Sequence, residues 1–174
     1  MRRGVFIDAQ NIYLSAKQDF PEFHIEMEYQ YLKEFFKDDA VTTFTMFYRY
    51  NPDDKRQMKF IMAVADLGFR VVAKPIKKLG NNIIKADIDM DMALEILDQA
   101  PFLDEVVILS GDSDFVSLID RLARMGKKVI VIGPDRYTAN ELVQACHEFI
   151  RISKIPNFLK LTPKPTSPEK QTEE

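Results

Sequence analysis

Short apolar runs alternate with amphipathic segments along most of the chain. Runs typical of buried strands cover residues 4–8, 41–48, 70–73, 106–110, 128–132 and 149–152. Between them, apolar residues recur at helical spacing over residues 27–36, 54–67, 87–100, 115–125 and 140–147. A small hairpin is expected near residues 79–84, around Gly80-Asn81-Asn82. Strands that alternate with helices predict an α/β fold, in which a mostly parallel sheet is flanked by helices on both faces.

The length and composition predict one domain followed by a tail. The chain has 174 residues, 46% of them hydrophobic and 29% charged, as in an ordinary globular protein. We place the domain at residues 1–155 and a flexible tail at residues 156–174, because the chain from Thr162 onward has no apolar residue except its prolines and cannot offset the entropy of ordering. No apolar run approaches the roughly 18 residues that span a bilayer. Cys146 is a single cysteine and excludes an internal disulfide. These features favour a cytoplasmic protein without a membrane partner.

Acidic residues follow two of the predicted strands. Asp8 ends the first run, and Ser110-Gly111-Asp112-Ser113-Asp114-Phe115 follows the apolar run that ends at Leu109. Asp89 lies at the head of the apolar stripe of the helical segment 87–100, whereas Asp91 and Glu95 lie on another face that is typical of a solvated surface. Parallel strands end at the same edge of a sheet, so we expect these acids to converge. Helix capping is the alternative role for each of them.

Converging carboxylates repel one another unless a cation lies between them. Oxygen ligands without imidazole or thiolate favour Mg²⁺ or Mn²⁺ over zinc. The candidate ligands are Asp8, Asp89, Asp112 and Asp114, the last as a ligand or as a base that orients water. An EF-hand is excluded for the segment that begins at Asp87, because Met92 stands where glycine is required.

Polar and basic residues near these acids are candidates for substrate binding. Asn11 could donate to a phosphate oxygen or hold Asp8 in place. Ser110 and Ser113 could bond substrate or ligand carboxylates, and capping is an equal alternative for both serines. Lys85, with other lysines of the same region, could neutralise a nucleic-acid backbone, although a solvated loop explains those lysines equally well. The net charge of −3 argues against a protein coated in positive charge, but it leaves room for a local basic groove.

The motifs resemble those of the NYN domain family, and most closely its LabA-like branch within the PIN-like nuclease superfamily. The resemblance is carried by segments 6–11, 85–89 and 110–115 in this order, with further similarity at 126–133 and 142–150. It implies a three-layer PIN-like (Rossmann-like) fold and metal-dependent cleavage of RNA. The acidic site residues of the family correspond to Asp8, Asp89, Asp112 and Asp114, and its polar asparagine corresponds to Asn11. Domains of this kind often pair as homodimers, although no feature of this sequence specifies an interface.

Three functions are consistent with these residues. The first is a ribonuclease that uses Mg²⁺ or Mn²⁺, with RNA or another nucleic acid as its partner. The second is a regulatory module that keeps the fold and binds RNA or a protein without catalysis. The third is a phosphatase of small substrates, which is disfavoured because the first strand lacks a second acid two residues after Asp8. The complete set of acids favours the ribonuclease.

Overall fold

The structure of the protein, a computed structural model, describes residues 1–80, 82–84 and 88–166. Its strands are β1 (Arg2–Asp8), β2 (Phe23–Met27), β3 (Val41–Tyr50), β4 (Arg70–Pro75), β5 (Lys77–Leu79), β6 (Asn82–Ile84), β7 (Glu105–Leu109), β8 (Lys128–Gly133), β9 (Glu148–Arg151) and β10 (Leu159–Pro163). Its α-helices are α1 (Ala9–Asp19), α2 (Tyr29–Phe35), α3 (Lys55–Asp66), α4 (Asp89–Gln99), α5 (Val116–Arg124) and α6 (Asn140–Ala145). None of the helices in the described ranges is long and apolar enough to cross a membrane.

Six strands form the central sheet, in the order β4-β3-β1-β7-β8-β9. All neighbouring pairs in this sheet are parallel. The chain runs outward from β1 through β3 to β4, then returns to β7 on the other side of β1 and runs outward again. The strand order therefore reverses between β1 and β7. In open α/β sheets, the crevice outside the carboxyl ends of such strands is where ligands bind.

Two hydrophobic clusters cover the two faces of this sheet. Alternate residues of β1 point to opposite faces, so Val5 and Ile7 belong to one cluster and Phe6 to the other, and all three are inaccessible to solvent. The first cluster includes side chains from α1, α2 and α3, and the second includes side chains from α4, α5 and α6. Burial on both faces explains the continuous apolar run of β1. The predicted three-layer α/β fold with a parallel central sheet is confirmed.

Helix α1 and strand β2 were not among the predicted elements. The buried stripe of α1 is narrow, because Ile12 and Ala16 are buried whereas Leu14 on the same helix is 53% exposed. Strand β2 shows the alternating pattern of a half-buried strand, with Ile25 buried between exposed neighbours. Its end at Met27 coincides with the start of the helix predicted at residues 27–36, which obscured it. The hairpin of β5 and β6 lies where the sequence places one.

The predicted tail, residues 156–174, differs from the structure over its first part. Strand β10 pairs antiparallel with β2, from Leu159 opposite Met27 to Pro163 opposite Phe23. Phe158, just before this strand, is completely buried in the cluster that contains α1 and α2. Burial of this large side chain and the strand pairing hold the segment against the domain. Ordered structure therefore continues beyond residue 155, and residues 167–174 lie outside the described part of the chain.

Candidate active site

Asp8 connects β1 to α1 at the carboxyl edge of the sheet. It is the N-cap of α1, and its Oδ1 accepts a hydrogen bond from the backbone N–H of Asn11 at 3.4 Å. Its Oδ2 lies 3.5 Å from the hydroxyl oxygen of Ser110, which can donate to it. Only 2% of the residue is exposed. The Asp8 carboxylate is therefore buried where the central strands end. It is held by hydrogen bonds from α1 and from the segment after β7.

The segment that follows β7 is held by a series of short-range hydrogen bonds. The Oγ of Ser110 accepts from the N–H of Asp112 at 3.2 Å, and Oδ1 of Asp112 accepts from the N–H of Asp114 at 2.9 Å. Asn11 reaches across from α1, and its Oδ1 accepts from the N–H of Gly111 at 2.9 Å. The same oxygen lies 3.2 Å from Oγ of Ser110, so the single hydroxyl proton of this serine serves either Asn11 or Asp8. Asn11 thus joins the ends of β1 and β7.

Three carboxylates meet at this edge. Asp89 is the first residue of α4, and one carboxylate oxygen each from Asp89, Asp112 and Asp114 lie within 4.8 Å of one another. Asp89 and Asp112 are half-buried and Asp114 is exposed. Asp112 also caps the short 3₁₀ helix Ser113–Phe115, so capping and a place in the cluster are compatible for this residue. A carboxylate has two oxygens, and one can accept from the backbone while the other faces the cluster.

Asp8 is coupled electrostatically to this cluster. Its pKa is raised to about 7, chiefly by burial and further by the charges of Asp89 and Asp112, against the lowering effects of the Asn11 N–H and of Arg49. Neutral pH therefore leaves Asp8 partly protonated while no cation is bound. A divalent cation among these carboxylates would favour the ionised form. The donor set, all oxygen and all from acids, fits a hard cation such as Mg²⁺ or Mn²⁺.

The outer wall of the site depends on residues that the sequence analysis did not single out. A Cβ atom at Gly111 would lie 3.0 Å from Cδ of Pro134, so glycine permits the close approach of the loop that follows β8. Asp19, at the end of α1, is 3% exposed and accepts from the N–H groups of Asp135 and Arg136 at 2.6 and 3.1 Å. Helix α1 therefore fixes this loop against the segment that carries Asp112. An acid at the end of a helix gives no sequence signal for such a long-range contact.

Arg49 is a second residue that the pattern of the sequence did not reveal. It lies near the end of β3, and its charge acts on Asp8 in the direction opposite to that of Asp89 and Asp112. Its backbone is held by Gln10 of α1, whose Nε2 donates to the Arg49 carbonyl at 2.6 Å and whose Oε1 accepts from the Arg49 N–H at 3.2 Å. The site thus has a cation at its edge, provided by the strand next to β1.

The remaining residues that the sequence suggests for substrate binding are Ser113, Lys85 and the lysines near Lys85. Ser113 is exposed at the start of its short helix. Lys85 lies outside the described residues. The Nζ of Lys74 forms an ion pair with Oδ2 of Asp91 at 2.9 Å. Nε of Arg70 and Oε1 of Glu95 form another pair at 2.8 Å. Part of the acidic face of α4, which the sequence suggested was solvated, therefore packs beside basic residues of β4.

The protein has a parallel sheet with carboxylates gathered where the strand order reverses, an arrangement that fits a PIN-like, nuclease-type fold. The chain belongs to the NYN domain family, whose model matches residues 2–153. It is 25% identical over 170 residues to the "Low amplitude and bright protein LabA" of Synechococcus elongatus, over 94% of this chain and 90% of that protein. A crystal structure of a protein of unknown function from Vibrio parahaemolyticus has a TM-score of 0.79 and 26% identity, over 91% of this chain and 96% of that one. The family resemblance seen in the sequence is confirmed.

Proposed function

We propose that the protein is a ribonuclease that hydrolyses RNA phosphodiester bonds with the help of Mg²⁺ or Mn²⁺. The observation that carries the proposal is the approach of three carboxylate oxygens, from Asp89, Asp112 and Asp114, to within 4.8 Å of one another. The buried Asp8, whose pKa responds to two of these acids, extends the cluster toward β1. Membership of a family with a nuclease-type fold supports the same reading.

The four acids are proposed to hold the cation, which when bound would activate a water molecule and stabilise charge on the phosphoryl group. Asp114 is exposed and can also accept a proton from the attacking water. Arg49 would attract a phosphate of the RNA that binds next to Asp8. Asn11 and Ser110 hold the segment that carries Asp112, which is a positioning role. Substrate contacts by Ser113 and Lys85 stay predictions.

The test is cleavage of end-labelled single-stranded RNA in the presence of Mn²⁺, with and without a chelator. Loss of a residue that only supports a metal ligand costs about 10- to 100-fold in activity or affinity, so loss of a direct ligand in Asp112→Asn should cost at least ~100-fold. Asp120→Asn is the matched control, because Asp120 is an exposed acid on α5 and lies outside the cluster. Cleavage that survives both the chelator and Asp112→Asn contradicts the metal mechanism. Tight RNA binding without cleavage of any substrate would instead favour a non-catalytic binding module.

A further inference from the structure

A cavity of about 700 Å³ opens beside the acidic site. It is lined from α1, β2, α3 and the end of β3, and its wall is mostly apolar. Gln10, Tyr13 and Leu14 line it from α1, at the spacing that places residues on a single helix face. Its volume lies in the range of small-molecule sites, which combine an apolar wall with a few polar groups.

The cavity begins where the acidic site ends. Ala9, the residue after Asp8, lines it, and so does Arg49, whose charge acts on the Asp8 carboxylate. Strand pairing places Asp8, the last residue of β1, opposite Phe47, so that the next residue of β3, Tyr48, lines the cavity just past the end of β1. A ligand that places a phosphate between Asp8 and Arg49 would extend its next group directly into this cavity.

Four of the residues that line the cavity are aromatic: Tyr13, Tyr29, Tyr48 and Phe60. Tyr48 packs against Phe60 with ring centroids 5.3 Å apart, and Phe60 packs against Tyr29 at 6.1 Å, so that these rings support one another. Tyr13 lies at the rim and is 39% exposed. Tyr29 is 4% exposed, and its hydroxyl donates to Sδ of Met27 at 3.7 Å, which is a weak acceptor. The oxygen lone pairs of Tyr29 can therefore accept a hydrogen bond from a ligand.

The charges at the two ends of the cavity are opposite. Arg49 lies at the end next to the acidic site, whereas Glu26 and Glu28 line the side formed by β2 and the residue after it. Oε2 of Glu26 lies 3.7 Å from Nζ of Lys160, and Oε2 of Glu28 accepts from Nε2 of Gln30 at 2.6 Å. The second oxygen of each carboxylate can accept from the amino group of a base. These features together match one nucleotide. Its phosphate would lie at Arg49, the cation near the scissile site, and its base would lie inside the cavity, where rings can stack on it and the acceptors lie farther away.

We propose that this cavity binds the base of an RNA nucleotide next to the bond that is cleaved. The inference rests on the proposed ribonuclease function, since it assigns the substrate a position relative to the four acids. The proposal favours single-stranded RNA as the substrate. A base that is paired in a duplex must unpair and unstack before it can enter the cavity, and this costs free energy.

The test uses short single-stranded RNA that carries 2-aminopurine, whose fluorescence is quenched by stacking. The chain has no tryptophan, so that the probe can be excited selectively. Binding is measured in an Asp112→Asn background with Mn²⁺, to suppress cleavage. We expect quenching, and an affinity about tenfold lower for Tyr13→Ala, the scale of one base–aromatic contact. Tyr13→Phe should bind as the parent does, because it keeps the ring. Tyr31→Ala is the matched control, since Tyr31 is 36% exposed on α2 and does not line the cavity.

Cleavage by the otherwise unchanged chain separates this inference from the proposed function. Tyr13→Ala should raise KM and leave kcat nearly unchanged. Cleavage with the same KM in Tyr13→Ala and in the parent overturns the base-binding cavity and leaves the ribonuclease standing. Quenching that depends on Tyr13 without any cleavage supports the cavity and overturns the ribonuclease. RNA binding without quenching, or a cavity filled by a peptide segment of a protein partner, overturns the inference.

Discussion

The two ends of β1 both bury a charge, and they treat it in opposite ways. At the amino end, Arg3 is 6% exposed, and its Nε lies 3.2 Å from Oε1 of the buried Glu105. Its Nη2 lies 2.8 Å from Oδ2 of Asp38, and its guanidinium lies over the ring of Phe36. At the carboxyl end, Asp8 is 2% exposed, and two acids are among the charges that shift its pKa.

The two ends differ in whether the buried charge has a partner of opposite charge or neighbours of like charge. The hydrogen bond from Arg3 lowers the pKa of Asp38, as expected where cation and carboxylates satisfy each other. Burial, and then the charges of Asp89 and Asp112, raise the pKa of Asp8, so its ionised form carries a free-energy cost in the folded chain. A cost of this kind is typical of a site that is completed by a ligand. We expect the amino end of the strand to stabilise the fold, and the carboxyl end to hold the proposed cation.

The largest effect is expected at the amino end. Arg3→Ala leaves Glu105, which is 4% exposed, without its buried cation, and breaking such a pair from one side costs about 3–5 kcal/mol. Urea unfolding followed by circular dichroism measures the change. Arg2→Ala is the control, because Arg2 is exposed beside it. The double variant Arg3→Met/Glu105→Leu should recover much of the loss, and a loss below ~1 kcal/mol in Arg3→Ala would show that this cluster is not structural.

The carboxyl end should respond in ligand binding rather than in folding. Asp89→Asn should weaken Mn²⁺ binding, followed by electron paramagnetic resonance, and RNA cleavage by at least ~100-fold, as for the loss of a direct ligand. Asp98→Asn is the matched control, since Asp98 is an exposed acid on the same helix. The free energy of unfolding without metal should not fall in Asp89→Asn, because one of several repelling carboxylates is removed. Equal Mn²⁺ affinity in the two variants would remove Asp89 from the metal site.

Asp8→Asn should remove the pH dependence that the titration of Asp8 gives to stability. The unfolded carboxyl ionises near its ordinary pKa of 3.8, and the folded one at about 7. Unfolding between these values releases a proton, so the contribution of Asp8 to stability is present below pH ~4 and is lost as the pH rises through 7. A tenfold difference in an ionisation constant corresponds to about 1.4 kcal/mol, so a shift of this size sets an upper limit of ~4 kcal/mol to the advantage of Asp8→Asn over the parent at pH 8, and Asp8→Asn should be no more stable than the parent at pH 4.

Thermal unfolding of the metal-free protein at both pH values measures this difference. Asp120→Asn, which changes an exposed acid, serves as the control and should show no such dependence. Mn²⁺ should reduce the advantage of Asp8→Asn at pH 8, because the cation stabilises the ionised parent. An advantage of Asp8→Asn that is the same at pH 4 and at pH 8 would show that the charge of Asp8 is not its cause.

The sequence placed the acids well because their positions follow from local rules. Asp8 is the last residue of the buried strand β1, Asp112 follows the end of β7 by three residues, and the helical spacing separates Asp89 from Asp91 on α4. The structure brings Asp89, Asp112 and Asp114 together as these rules imply. Roles in catalysis and in metal binding stay predictions for all four acids.

The sequence missed the features that depend on contacts between distant segments. Helix α1 was not predicted because its buried stripe is narrow. The contacts that this helix makes, of Asn11 with Gly111 and of Asp19 with the loop after β8, were therefore not predicted either. Arg49 had no local signal, since its influence on Asp8 arises from the pairing of β3 with β1. Phe158 lies in the predicted tail, and its burial in the core, with the pairing of β10 and β2, shows that ordered structure continues past residue 155.

The ion pair between Lys74 and Asp91 tests whether pairing or burial gives the Arg3 cluster its strength. Both side chains are partly exposed, at 41% and 45%, so the pair should contribute no more than about 0.5 kcal/mol, and less in high salt. Lys74→Met should therefore leave urea unfolding almost unchanged, far from the effect of Arg3→Ala. A loss of stability comparable to that of Arg3→Ala would mean that pairing outweighs burial in this protein.

RNA binding provides an independent measurement on the same Lys74→Met variant. If Lys74 exchanges Asp91 for a phosphate, Lys74→Met should weaken RNA binding uniformly across sequences and reduce the salt dependence of binding by about one counterion. An unchanged salt dependence of RNA binding would restrict Lys74 to its contact with α4.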